Sequence, residues 1–368
     1  MARYDFWRTS NNYWNNWGNS GSSSDASGNI NDMLDDMADP DQDDAPVVDG
    51  PTPNPNPSQA AADIFVDVRG ADSNSGSASA PVASISRAVA LASAGDVISV
   101  SGGTYTKTVN IHKAGITIRA EAGEEVIIDG SGTAANSDLV SITASNVTFD
   151  GFEVRDAKRS GISVWNAHDV TISDNEVHNS ARNGIWVGGS REGVSYDNVV
   201  RDNVVHDNVQ ENAATNTGSG WARGIAIDIS TDSLVEDKFV FNNYGEGVGG
   251  LSSTDLTYTG NTIYDNFSVQ LYFDNSQDIT ATDNLIFQTG DTEFYRNGKA
   301  GIGVLIANEY AEVQKASSGY EVTGNTLAGV GSPSYDGSYG WGGGITNSNL
   351  GYNTILSASA VEADWLYA

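Results

Sequence analysis

Residues 160–187 read SGISVWNAHDVTISDNEVHNSARNGIWV, and the pattern then begins again. Gly161 and Gly184 open the equivalent segments GISV and GIWV, a spacing of 23. The unit returns as GIAID from Gly224 and as GVGGL from Gly247, again at 23, then at Gln270 and more loosely at Gly301. Within each run the apolar residues alternate, so Ile162, Val164, Ile185, Val187, Ile225 and Ile227 are expected to point inward. A fixed period in the twenties, made of short β-type runs, marks a solenoid whose coils bury their apolar faces against one another. Any function then sits on the side of a stacked coil.

Working outward, VTFDGFEV from Val147 matches VTISDNEV from Val170 at the same spacing, and the regular coils are expected from about Leu139. Asn175, Asn203, Asn261, Asn284, Asn325 and Asn353 recur at one turn, where inward asparagines can hydrogen-bond from coil to coil as a ladder. Before the coils, DIFVDVRG from Asp63 reads as a strand, and SISRAVALASAGD as an amphipathic helix ending at Gly95. One helix followed only by strands suits an all-β parallel β-helix whose N-terminal helix caps the stack. Two gaps break the period. Gly184 and Gly224 stand 40 apart, an excess expected as an outer loop over HDNVQENAATNTGSGWAR; Gln270 and Gly301 stand 31 apart, with the excess in QTGDTEFYRNGKA.

Three segments follow: residues 1–62, 63–357 and 358–368. The first carries Tyr4, Phe6, Trp7, Tyr13, Trp14 and Trp17, then the acidic run NDMLDDMADPDQDD and the Pro-rich PTPNPNPSQ. It reads as a disordered leader or as a docking segment for self-assembly. The β-helix occupies 63–357. The last segment ends ADWLYA, an acidic residue followed by apolar ones, which resembles a type I secretion signal. MARYDFWRTSNNYWNNWGN lacks the apolar core of a cleavable signal peptide, and no run of 18 apolar residues exists to span a membrane.

Charge is lopsided, with 18 Lys+Arg against 48 Asp+Glu and a formal net of −30. A field of that sign repels nucleic acid and anionic membranes. Surface carboxylates could bind Ca²⁺, although no D-x-[DN]-x-[DN]-G loop occurs. The chain has no cysteine, which excludes disulfides and thiolate sites.

Residues 63 to about 356 resemble the right-handed parallel β-helix proteins of the pectate-lyase-like superfamily, a group with polysaccharide lyases and alginate epimerases. The resemblance is carried by SISRAVALASAGDVISVSGGTYTKTV, GITIRAE, IIDGSG and the GIxV…VTIxDN coils. It implies a right-handed parallel β-helix in which each period of the sequence is one coil, and an acidic polysaccharide as partner. Neither the Asp-Pro-His of alginate-type epimerases nor the Gly-His-Gly of polygalacturonases is present.

The period also places outward rows. One is expected to run Ser163, Trp186, Ala226, Gly249, Tyr272, Gly303, and its neighbour Trp165, Gly188, Asp228, Leu251, Asp274, Leu305. Ala226 and Gly249 would then floor a trough walled by Trp186 and Tyr272, suited to stacking sugar rings. Lys158, Arg159, Arg182 and Arg223 cluster at the entry to this row, a basic patch able to hold carboxylates. For β-elimination on a uronic acid, Arg182, Arg223 or a Ca²⁺ held by Asp228 and Asp274 would neutralise the carboxylate. Lys158, Arg159 or His178 would take the C5 proton, and Tyr272 would protonate the leaving oxygen. Asp228 and Asp274, two rungs or about 9.6 Å apart, could instead form an inverting hydrolase pair. The expected function is extracellular or cell-surface action on a uronic-acid-containing polymer by lyase or epimerase-type chemistry. The rival is a non-catalytic adhesin or filament subunit assembled through its aromatic N-terminal segment.

Overall fold

The computed structural model describes residues 61–213, 222–309, 315–333 and 345–361. The N-terminal segment up to residue 60, the terminal ADWLYA and most of GSPSYDGSYGWGGG therefore lie outside the described residues.

Each coil contributes one short strand to each of three parallel sheets, of 8, 10 and 10 strands. Sheet I holds the runs after the repeated glycine, such as Ile162–Trp165, Ile185–Gly188, Arg223–Asp228, Glu246–Leu251, Val269–Asp274 and Ile302–Ala307. Sheet II holds the VTIS-type runs, such as Val170–Ser173, and sheet III the EVH-type runs, such as Glu176–His178. The expected inward residues, Ile162, Val164, Ile185, Val187, Ile225 and Ile227, are all buried in one continuous core. Stacking in all three sheets begins a coil earlier than the sequence period shows, at Val109–Ile111.

Three corrections concern boundaries. The helix spans Ile85–Leu91 rather than reaching Gly95, because Ala92 already turns extended. It starts at Ser84, whose side chain accepts from Arg87 N, and its buried Ile85, Ala88 and Val89 close the N-terminal end against Ile64–Val66, Val97–Val100 and Val109–Ile111. The first excess is not one loop: Ile172 pairs with Val200 at a spacing of 28, and Val200 with Val235 at 35. The chain is therefore lengthened twice in this coil, by a short insertion between sheets I and II and a longer one between sheets III and I. In the second gap Leu271 pairs with Val304 at a spacing of 33, so the last rung of the outward rows is Leu305 and Ala307, not Gly303 and Leu305.

The corners explain the composition. Asp169, Asp197, Asp232, Asp255 and Asp278 at the entry to sheet II, and Asp174, Asp202, Asp237 and Asp283 at its exit, all have positive φ. Asp and Asn tolerate that left-handed geometry better than other side chains with a Cβ. Much of the negative charge is thus corner chemistry repeated coil after coil.

Inside one corner the asparagine ladder forms as expected. Nδ2 of Asn175, Asn261, Asn284 and Asn325 donates to Oδ1 of Asn203, Asn284, Asn325 and Asn353 in turn. The pairing Val204–Phe239–Thr262 puts Lys238 between Asn203 and Asn261, in an asparagine's place. Lys238 is 1% exposed, its Nζ donates to Glu236 O, and Asn261 Oδ1 is left buried without a partner.

Candidate functional site

The corner into sheet I decides which side chains reach the outer face. A Cβ at Gly184 or Gly224 would run into the valine and asparagine side chains of the corner behind it, at 2.5–2.8 Å. Glycine lets the chain hug the interior there, and the residue just before it faces out. That places Asp138, Ser160, Asn183, Arg223 and Glu246 in one outward row.

The trough floored by Ala226 and Gly249 exists, but the protein's own arginine fills it. Arg223, 3% exposed, lies beside Gly249, where a Cβ would stand 3.3 Å from its Nε and 2.0 Å from Tyr272 O. Its Nη1 donates to Asp228 Oδ1 at 2.8 Å and its Nε to Glu246 Oε2 at 2.6 Å. Its guanidinium carbon stands 5.4 Å from the centre of the Tyr272 ring. Burial by itself would lower the Arg223 pKa, but Asp228 and Glu246 more than offset it and hold the guanidinium charged. Burial raises Glu246 to about 7 despite the attraction of Arg223.

Asp228 also accepts from Trp186 Nε1 at 2.9 Å and from Leu251 N at 3.2 Å. Trp186 can lean this way because Gly188 has no Cβ, which would sit 2.6 Å from the indole. Trp165 stacks on Trp186 at 5.4 Å. Beside this wall opens a cleft lined by Asp138, Arg159, Ser163, Arg182, Trp186 and Arg223 among others. Arg159 grips Asp138 with Nε and Nη2, and Arg182 Nε lies 2.9 Å from Glu211 Oε1 without hydrogen-bond alignment.

The structure thus brings Arg159, Arg182, Trp186, Arg223 and Asp228 to one cleft, with Trp165 behind. Four expected roles fail. Lys158 is half-buried and does not line the cleft. Tyr272 is 4% exposed and packs against Val269, Leu305 and Ala307, so its hydroxyl is shut away from a leaving group; burial also raises its pKa and makes it a poorer acid. Asp274 is 1% exposed and accepts from Glu309 N, with Leu251 between it and Asp228 in the row. The two acids therefore form no accessible hydrolase pair. As a joint Ca²⁺ site they also fit poorly: Asp228 is spent on Arg223, Trp186 and Leu251 N, and Arg223 already supplies the cation. Among the described residues no group of three or more His, Asp or Glu could hold a metal ion.

His178 lies on sheet III, away from the cleft. Its ring stacks on His206 at 5.0 Å, and the ladder continues through Phe241, Tyr264 and Phe287 at 4.9, 4.8 and 4.7 Å. These rings spend their faces on one another, so the ladder stabilises coils rather than offering a sugar platform. Burial lowers the His206 pKa, but hydrogen bonds to Asp207 and Glu176 outweigh it and raise the net value above 6.5. The stability this contributes is full below the unfolded value of 6.5 and is lost as pH rises through the raised folded value. Replacing His206 by phenylalanine is expected to keep the stack and remove that pH dependence, which melting curves between about pH 5 and 8 would reveal.

Asp138, Asn183 and Glu246 escaped the sequence reading, and Ser163 was placed in an outward row without a role. Glu246 was findable, since it stands one period after Arg223. Asp138 was not, because its rung partner Ser160 follows at a spacing of 22, one short of the period.

Residues 64–233 match the family model described as Pel9A-like, right handed beta helix region. No curated protein matches the chain. Among solved structures, pectate lyase Pel9A is 18% identical, with 80% of each chain covered and a TM-score of 0.54. A rhamnogalacturonan lyase is 13% identical, with 81% of this chain and 88% of that one covered and a TM-score of 0.50. With its three stacked parallel sheets and these matches, the chain folds as a right-handed parallel β-helix and is similar over residues 64–233 to the Pel9A-like family.

Proposed function

We propose that the protein binds a uronic-acid-containing polysaccharide along the outer face of sheet I and acts on it by lyase- or epimerase-type chemistry. The observation that carries this reading is the convergence of Arg159, Arg182 and Arg223 beside Trp186 in one open cleft, in a chain of net charge −30. A polyanion is otherwise repelled by such a surface, so the cleft is where it can land. Lyases and epimerases both remove the proton beside a carboxylate, and both need that carboxylate neutralised first. Arg182 is assigned this task, because Arg223 is locked between Asp228 and Glu246. Charge here comes from arginine, so chelating Ca²⁺ is expected to leave binding intact. The relatives compared are named as lyases of pectate and rhamnogalacturonan, which agrees with a polymer found outside the cell or at its surface.

Incubation with alginate, pectate and chondroitin is expected to raise absorbance in the unsaturated-uronate band for a lyase, or to change the proton NMR spectrum of the polymer for an epimerase. Arg182→Ala is expected to weaken polymer binding at least about tenfold, the loss of one charge-assisted contact, with unchanged melting. A second reading, binding without turnover, is favoured by the saturation of Arg159 and Arg223 with internal carboxylates. It predicts retained binding with a flat trace and an unchanged spectrum. Absence of binding to all three polymers would sink both.

A further inference from the structure

We infer that the donors gathered around Asp138 form a carboxylate-binding subsite of the cleft, and that Asp138 is its built-in occupant, displaced when a carboxylate of the polymer enters. The inference rests on the uronate reading of the cleft and extends it to a named subsite.

Four donors meet one carboxylate. Arg159 donates from Nε at 2.5 Å to Asp138 Oδ1 and from Nη2 to Oδ2. Ser160 N donates to Oδ1 at 3.2 Å and Ser163 Oγ to Oδ2 at 2.9 Å. A guanidinium fork supplemented by a hydroxyl and a backbone N–H is what a uronate carboxylate requires, and both of its oxygens are served. The set is built into sheet I: Ser160 and Ser163 are buried, Ser160 in the outward row of Asp138 and Ser163 in that of Trp186, which follows it one rung on.

The occupant, by contrast, arrives on an exposed stretch. Residues 131–136 are largely exposed between the strands Val126–Asp129 and Val140–Ile142, and Asp138 is the last residue before Leu139 anchors in the core. Gly130 N on Arg155 O and Leu139 N on Ser160 O pin the two ends of this stretch. The Asp138 side chain is 8% exposed in place, but the backbone that carries it away is this exposed stretch rather than a core strand. Arg159 keeps 32% of its side chain exposed at the mouth of the cleft.

A tethered acid competes with incoming carboxylates at an effective concentration in the millimolar range or above. A lone small carboxylate loses that competition, whereas a polymer that also reaches Arg182 and Trp186 can win it. The device would then select polymeric uronate over the free acids of the surroundings.

The test uses the full chain with Asp138→Ala, and acetate as the probe. Acetate is expected to raise the melting temperature of Asp138→Ala saturably relative to chloride at equal ionic strength, as any ligand of the folded state does, and to leave the wild type unmoved. Adding Arg159→Ala should abolish the response. Oligogalacturonate or oligoalginate should bind Asp138→Ala at least tenfold more tightly than wild type. Where alanine prevents folding, Asp138→Asn keeps the shape, loses the charge and should give the same acetate response at lower amplitude. Equal effects of acetate and chloride on the variants would overturn the subsite. An acetate response with no binding of either oligomer would support the carboxylate site and overturn the uronate reading on which its role depends.

Discussion

Replacing Lys238 by asparagine is expected to stabilise the protein by several kcal/mol near neutral pH. The position belongs to the asparagine ladder, and an asparagine there can donate to Asn261 Oδ1, which is buried without a partner. The larger part of the gain comes from removing a buried charge. Burial pushes the Lys238 ammonium from 10.5 down to about 7, against the attraction of Asp202, Asp237 and Glu236. At about 1.4 kcal/mol per unit, a shift of that size is on the order of 5 kcal/mol when the group is fully protonated. The unfolded chain binds this proton up to 10.5 and the folded chain only to about 7, so wild-type stability rises with pH across that window. The advantage of Lys238→Asn should accordingly be largest at or below pH 7 and shrink towards pH 10. Lys238 also draws down the raised pKa values of Glu236 and Asp237, so the lysine is read from the difference in denaturation midpoints between pH 7 and 10, above the carboxylate range. A variant that melts below wild type, or an advantage independent of pH, would overturn the account.

Arg223→Met is expected to cost about 3–5 kcal/mol, the usual penalty for leaving a buried charge without its partner. The methionine fills similar space, but Asp228 and Glu246 then face each other with no cation between them. Glu246 already titrates at about 7, raised from 4.5 by burial, so its carboxylate form is disfavoured by the fold even with Arg223 present. A raised acid loses stability as pH rises through the window from 4.5 to about 7, and without the arginine that loss deepens. Urea midpoints of wild type and Arg223→Met should therefore lie closer together at pH 5 than at pH 8. Adding Glu246→Gln should recover part of the loss. Trp186, held through Asp228, should lose its fixed orientation, seen as a change in tryptophan emission. Equal midpoints at both pH values would show that Arg223 is not the cation these acids depend on.

These two residues also mark where a one-dimensional reading stops. Lys238 stands at a position whose neighbours one coil away on either side are asparagines; the stretched spacing from Asn203 hides one equivalence, while the regular 23 to Asn261 leaves the other in view. Arg223 was recognisable as part of a basic patch. That it lies down in the trough, rather than standing at its edge, depends on Gly249 and on the two carboxylates that grip its guanidinium. His178 and Arg182 are close in sequence, but His178 lies on a strand of sheet III and Arg182 in the corner leading into sheet I, so they face different ways. Asp138 was invisible because its coil falls just short of the period.

What the amino-acid sequence by itself determined is the repeat: the regular spacing, the inward Ile and Val positions, the asparagine corner and the outward rows of sheet I up to Tyr272. Those follow from local alternation and from a periodicity that each coil must satisfy to bury its own apolar face. Only the tertiary structure decided which outward side chains are spent on one another and which line an open cleft. Pairing across rungs depends on insertions at several corners, each of which shifts every later partner. The direction of a long side chain such as Arg223 depends on what lies within its reach, and no spacing along the chain records that.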